Sequence, residues 1–208
     1  MFTKLNYIMI RHIKENSHFY LVFILLFSIG ISLGAYWVSN VSDETKDLLI
    51  KYLNGYFELV VVELFDYSDI FKDSFISNIV SALLLLIFGL TYVGIIFSPI
   101  YTVFKGFCFG FTIAFLVESF GRKGLIFSLV SLLPHNIVLI PSTIFLCSLS
   151  LQYSLFILKS KNEKRYEKRQ YFMNYIFSFI LGIALVIFSI VIESYITPVF
   201  IKSISSFI

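Results

Sequence analysis

Residues 124–158 read GLIFSLVSLLPHNIVLIPSTIFLCSLSLQYSLFIL, 35 positions without one charged side chain. As a single helix this run would be about 50 Å long, well beyond the roughly 30 Å hydrocarbon core of a bilayer. Pro134 and Pro141 interrupt it, and each removes a backbone donor from a helix ladder. The expectation is a proline-broken fourth span, with a re-entrant or interfacial piece over 124–133 followed by one crossing. Further charge-free runs at 16–42, 74–104, 106–117 and 170–192 place the other spans near 19–39, 77–97, 101–120 and 171–197. Lys105 and Glu118 bracket the third run and can snorkel toward the headgroups from its end turns.

Composition leads to the same class. The chain is 58% hydrophobic and only 14% charged, with a mean hydropathy of +0.89, whereas soluble domains carry about a quarter charged residues. A soluble enzyme on a single anchor is excluded, because the charged remainder is scattered in short pieces. LLLLIFGL and FSFILGIALVIFSIVI do not alternate apolar and polar residues, which excludes a membrane β-barrel. The fold class is all-α, a polytopic bundle of about five transmembrane helices in one integral membrane domain over 1–208.

Lysine and arginine set the orientation. Lys4, Arg11 and Lys14 precede the first span, and six more basic residues crowd KSKNEKRYEKRQ at 159–170, so both segments are expected in the cytoplasm. Between 40 and 76 eight acids face three lysines, which places that segment outside. Five crossings follow, with the N-terminus inside and the C-terminus outside. Six crossings would export the basic loop. Residues 121–124 become a tight external turn, although Arg122 and Lys123 go against the rule there.

Two segments read as surface helices. Phe2, Leu5, Met9 and Ile13 share one helical face opposite Lys4, Arg11 and Lys14, giving an interfacial helix over 1–17 that lies on membrane lipids. Ser42 is placed to cap a second amphipathic helix, whose Leu49, Leu53, Tyr56, Val60 and Leu64 recur at helical spacing. The Asp66–Asp69 turn is expected to end it. Asp47, Glu58, Asp66 and Asp69 on this outside segment are the candidate partner-binding residues.

Catalytic chemistry has no constellation to rest on. No H-E-x-x-H pair, G-x-S-x-G elbow or Walker A motif occurs, so neither catalytic nor metal residues nor a cofactor are expected, and nothing points to nucleic acid. Cys108 and Cys147 sit in apolar runs and read as packing residues. Pro134, His135 and Asn136 form the one polar cluster deep in an apolar run, and the imidazole and carboxamide are placed to satisfy backbone groups freed by proline. The small-residue pairs Gly30/Gly34 and Gly106/Gly110 allow close helix approach, either within the chain or in a homodimer.

Several stretches resemble the stage II sporulation protein M family of endospore-forming bacteria. RHIKENSHFYLVFILLFSIGISLGA at 11–35 is similar to its first span, Asn78 to its second-span asparagine, and FKGFCFGF at 104–111 to its glycine-rich third span. SLLPHNIVLIP at 131–141 resembles its proline signature, with Leu139 where broader relatives carry an acid. The resemblance implies a non-enzymatic scaffold that holds stage II sporulation proteins D and P, both peptidoglycan hydrolases, at the septal membrane during engulfment. The competing expectation is the permease subunit of a transporter, on fold-level likeness alone.

Overall fold

The apolar chain reverses direction at two places between residues 67 and 159, and polar or glycine residues mark both. A computed structural model describes residues 16–61, 67–160 and 165–205. Helix α1 spans Ser17–Val38, α2 Asp43–Val61, α3 Tyr67–Gly89, α4 Gly94–Lys159 and α5 Arg165–Val191. A π-helical turn over Ile192–Ile196 leads into α6, Thr197–Ser205. No strand occurs among the described residues. Four helices are long and apolar enough to cross a membrane: Ser17–Val38, Tyr67–Gly89, Gly94–Lys159 and Tyr166–Lys202. The expected interfacial helix over 1–17 lies almost wholly outside the described residues.

The first reversal, at residues 90–93, corrects the expected second span of 77–97. Thr91 closes the end of α3, its Oγ1 donating to the Phe88 carbonyl at 2.9 Å and accepting from the Val93 N–H at 3.3 Å. Helix ends leave carbonyls unpaired, and in hydrocarbon these need internal donors. Tyr175 Oη donates to the Leu86 carbonyl and Ser154 Oγ to the Gly89 carbonyl, at 3.1 and 3.0 Å. The helix also starts ten residues before the expected span, at Tyr67 rather than residue 77. Asp66–Asp69 was expected to be a turn, but Tyr67 opens α3, with Asp69 in the first turn, where the helix dipole favours an acid. In consequence α4, which takes the place of the expected third span, begins at Gly94 rather than near residue 101.

The second reversal is Gly121, at φ 57° and ψ −131°, the one non-helical residue inside α4. This corrects the proline-broken fourth span, since residues 122–159 keep helical φ/ψ through both Pro134 and Pro141. A missing N–H and a ring clash weaken a helix locally, but here neighbouring turns and packing hold it. The tight turn expected at 121–124 is present. Beyond it α4 folds back on itself, with Ser98 Oγ donating to Ser150 Oγ at 2.9 Å.

Other contacts give each rod its direction. Helix α1 runs parallel to residues 94–120, Phe27 meeting Phe109 at 6.2 Å. Helix α5 runs antiparallel to residues 122–159, from the Phe156–Tyr171 stack at 4.0 Å to the Ser189 Oγ bond on the His135 carbonyl at 2.8 Å. One end of the bundle therefore carries Asn16, the 90–93 turn and Lys159. The other carries α2, Gly121 and α6. Phe23, Leu85, Leu146, Phe179 and Ile190 fill the middle, each 1% exposed or less. Cys147 is buried as expected, whereas Cys108 is exposed on the bundle surface.

The glycine pairs oppose each other within the chain. A Cβ at Gly30 or Gly34 would enter the backbone carbonyls of Val103 or Phe107, and one at Gly106 or Gly110 those of Phe27 or Ile31. Gly55, midway along α2, has nothing within 4 Å of such an atom. Gly110→Ala should therefore destabilise the purified protein by about 1–3 kcal/mol through overpacking. Gly55→Ala should stabilise it by about 0.5–1 kcal/mol. Thermal unfolding of both variants checks the contrast.

Candidate functional site

The polar residues that the bundle encloses are few, and most are spent on carbonyls. Asn136 Nδ2 donates to the Leu132 carbonyl at 2.8 Å and to His135 Nε2 at 2.9 Å. Ser142 Oγ donates to the Val138 carbonyl at 2.6 Å. These targets differ from the expectation: the carbonyls that Pro134 and Pro141 deprive of a donor are those of residues 130 and 137, four positions back. The side chains instead supply second bonds to carbonyls beside them.

The Leu132 carbonyl can only accept, which fixes the carboxamide with its NH₂ toward the helix and the imidazole. Nε2 of His135 is then the acceptor, and the neutral ring carries its proton on Nδ1. Nδ1 is buried without a well-formed hydrogen bond, the Ser131 backbone acting on the ring from one turn back. It belongs to a ring that lines a cavity of about 420 Å³ together with Glu193, Ser131, Thr112 and Thr197. Leu49 and Leu53 of α2 close this cavity on its outer side, and Phe115, Leu116 and Phe127 wall it at the Gly121 elbow.

Glu193 sits in the π-helical turn, a distortion that often occurs at functional sites. Tyr195 of the same turn stacks on Tyr67 at 6.2 Å, which holds it against the start of α3. The Glu193 carboxylate acts electrostatically on both His135 and Lys105. Lys105 lies on residues 94–120 over the Tyr101 ring, 5.7 Å from its centroid, and shares a smaller cavity with Asn136. The sequence places Lys105 at the edge of an apolar run and does not announce that the fold brings Glu193 within its electrostatic range. Their opposite signs within apolar runs were the available signal.

The acidic candidates divide. Asp47 is exposed on α2. Asp69 is exposed too and pairs with Lys72 at 3.1 Å, a surface ion pair of little strength. The side chain of Glu58 and all of Asp66 lie outside the described residues. A stronger tie lies on the other side of the helix, where Lys46 Nζ meets Glu118 Oε1 at 2.6 Å and joins α2 to the elbow.

Helices folded back at a glycine elbow, a close glycine seam and four helices long and apolar enough to cross a membrane define a polytopic helical membrane protein. The sequence model for Stage II sporulation protein M matches residues 23–198, and the chain belongs to that family. No curated protein and no solved structure matches it.

Asn136→Leu should strand His135 Nε2 as a buried, unpaired acceptor and cost about 1–3 kcal/mol. Asn136→Gln, which keeps a donor, should lose less. Folded yield and thermal unfolding of the two purified variants check the ordering.

Proposed function

We propose that the protein is a membrane scaffold that anchors and localises peptidoglycan hydrolases at the septal membrane during forespore engulfment in sporulation. It crosses the membrane five times, with the two arms of α4 as separate spans, the N-terminus in the cytoplasm and the C-terminus outside. Stage II sporulation proteins D and P are its partners, and the chain does no hydrolysis itself. The observation that carries this reading is membership of the sporulation family over residues 23–198. The distribution of charge supports it. Helix α2, with Asp43, Glu44 and Asp47, stands at one end of the bundle, and Lys159, Lys168 and Arg169 lie toward the other.

Docking falls to the outer segment around α2, whose acids would steer a basic partner surface over about 8–10 Å and less so in salt. A specific observation also favours the permease reading: His135 and Glu193 line one cavity in the bundle and Lys105 a smaller one beside Asn136, as ionisable groups of transporter sites do. The same experiment separates the two. A tagged protein recovered from sporulating cells should bring hydrolases with it, and an ATPase in their place would support the permease. Converting Asp47, Glu58, Asp66 and Asp69 to their amides should lower hydrolase recovery several-fold at low salt. Unchanged recovery at both low and high salt would move docking into the spans.

A further inference from the structure

The cavity beneath α2 is lined by oxygens that can accept hydrogen bonds but have little left to donate. Glu193 makes no hydrogen bond or ion pair with any described residue, and, unlike Nδ1 of His135, its carboxylate keeps accessible surface. Thr112 and Thr197 share the lining, and each has spent its proton, on the Cys108 carbonyl at 2.8 Å and the Ile192 carbonyl at 3.4 Å. A hydroxyl that has donated can only accept. Among the lining groups only Ser131 and Tyr52, an exposed residue of α2, keep a hydroxyl proton to give. The rest of the wall is largely apolar, with Leu53, Phe115, Leu116 and Ile201 in it.

We propose that this cavity binds an organic ammonium, an apolar molecule whose one –NH₃⁺ group donates to the Glu193 carboxylate and to the hydroxyl oxygen of Thr197, four residues further along the same helix. An ammonium carries three donors and no acceptor, which is the complement of this lining, whereas an anion would meet the like charge of Glu193. A carboxylate among apolar walls is costly without a partner. Lys105 acts on Glu193 electrostatically but makes no ion pair with it, lying over the Tyr101 ring and beside the smaller cavity, so the lone pairs of the carboxylate stay open. The cavity volume of about 420 Å³ lies in the usual small-molecule range of about 300–1,000 Å³. A bare metal ion or water alone would leave the apolar walls facing a void. The proposal is independent of the scaffold reading, because it concerns the interior lining and not the outer acids.

The test uses the full chain in phosphatidylcholine nanodiscs near neutral pH and a ten-carbon primary amine carrying a diazirine. Photolabelling should be saturable and map to residues around the cavity, Leu53, Phe115 and Leu116 among them. Unlabelled decylamine should compete at least about tenfold better than 1-decanol, which is uncharged, and than decyltrimethylammonium, which has the charge but no N–H donor. Glu193→Gln, which keeps the shape of the side chain, should bring decylamine down to the level of decanol, whereas Asp47→Asn on the exposed side of α2 should leave its advantage intact. Phosphatidylethanolamine added to the nanodisc separates two sources of the same group: competition assigns the site to a lipid headgroup, and its absence to a free amine. The three competitors on the unaltered protein decide the matter even if a variant does not fold. Equal competition by either of the other two compounds, unsaturable labelling, labelling confined to the outer surface of the bundle, or an amine advantage that survives Glu193→Gln would overturn the proposal.

Discussion

In hydrocarbon no water completes a backbone hydrogen bond, so each place where a helix ends or turns must be closed by the protein's own donors. The bundle is organised around that requirement. At the end of α3 Ser154 closes the Gly89 carbonyl, while Thr91 and Tyr175 add second bonds to the Phe88 and Leu86 carbonyls, which also accept from backbone N–H groups. Two of those donors come from helices far along the chain, so the same bonds that finish α3 also fix the register of α4 and α5. The opposite end uses glycine. Gly121 turns the backbone through a positive φ, and Gly124 packs so closely that a Cβ there would enter the Leu116 carbonyl.

Once these turns are set, the rest of the packing has little freedom. The two glycine pairs let α1 lie against residues 94–120 backbone to backbone, where larger side chains would hold the helices apart. The wall formed by residues 122–159 packs against α3 and α5, and against the start of α1, whose Tyr20 stacks on Phe145 at 6.5 Å. The hydrogen bond from Ser189 to the His135 carbonyl sets the height at which the last helix meets this wall, and the π-helical turn then brings Glu193 to the His135 level. An acid and a histidine thus come to one level because the helices are registered elsewhere, and α2, tied by Lys46 to Glu118, covers the cavity that Glu193 and His135 line.

Much of this was legible in the sequence, for reasons that can be stated. Charge-free length reports burial in lipid, and it identified the class, the first span and the turn at Gly121, while helical spacing of apolar residues identified the helix that becomes α2. The glycine spacing announced a close seam, though not that both halves lie in one chain. Two features misled. The start of α3 lies among Asp69, Lys72 and Asp73, where a count of charges sees no span, while the backbone ladder is indifferent to side-chain charge at its first turn. Pro134 and Pro141 removed only local hydrogen bonds, and the packing of α1 and α5 on both sides kept the helix going. Lys105 and Glu193 stand 88 positions apart in the sequence, and only the fold brings them within electrostatic range.

The central claim is that α4 is a hairpin, its two arms antiparallel from the elbow at Gly121. In a chain carrying Cys108→Ala and Cys147→Ala, cysteines replacing Ser98 and Ser150, whose hydroxyl oxygens are 2.9 Å apart, should oxidise to a disulfide within one molecule in native membranes. A control with cysteines at Ser98 and Ser128 places the second thiol far along the arm toward the elbow and should stay reduced. If the 98–150 pair remains reduced, or closes only between molecules while the 98–128 pair closes, residues 94–159 do not fold back at Gly121 and the account fails.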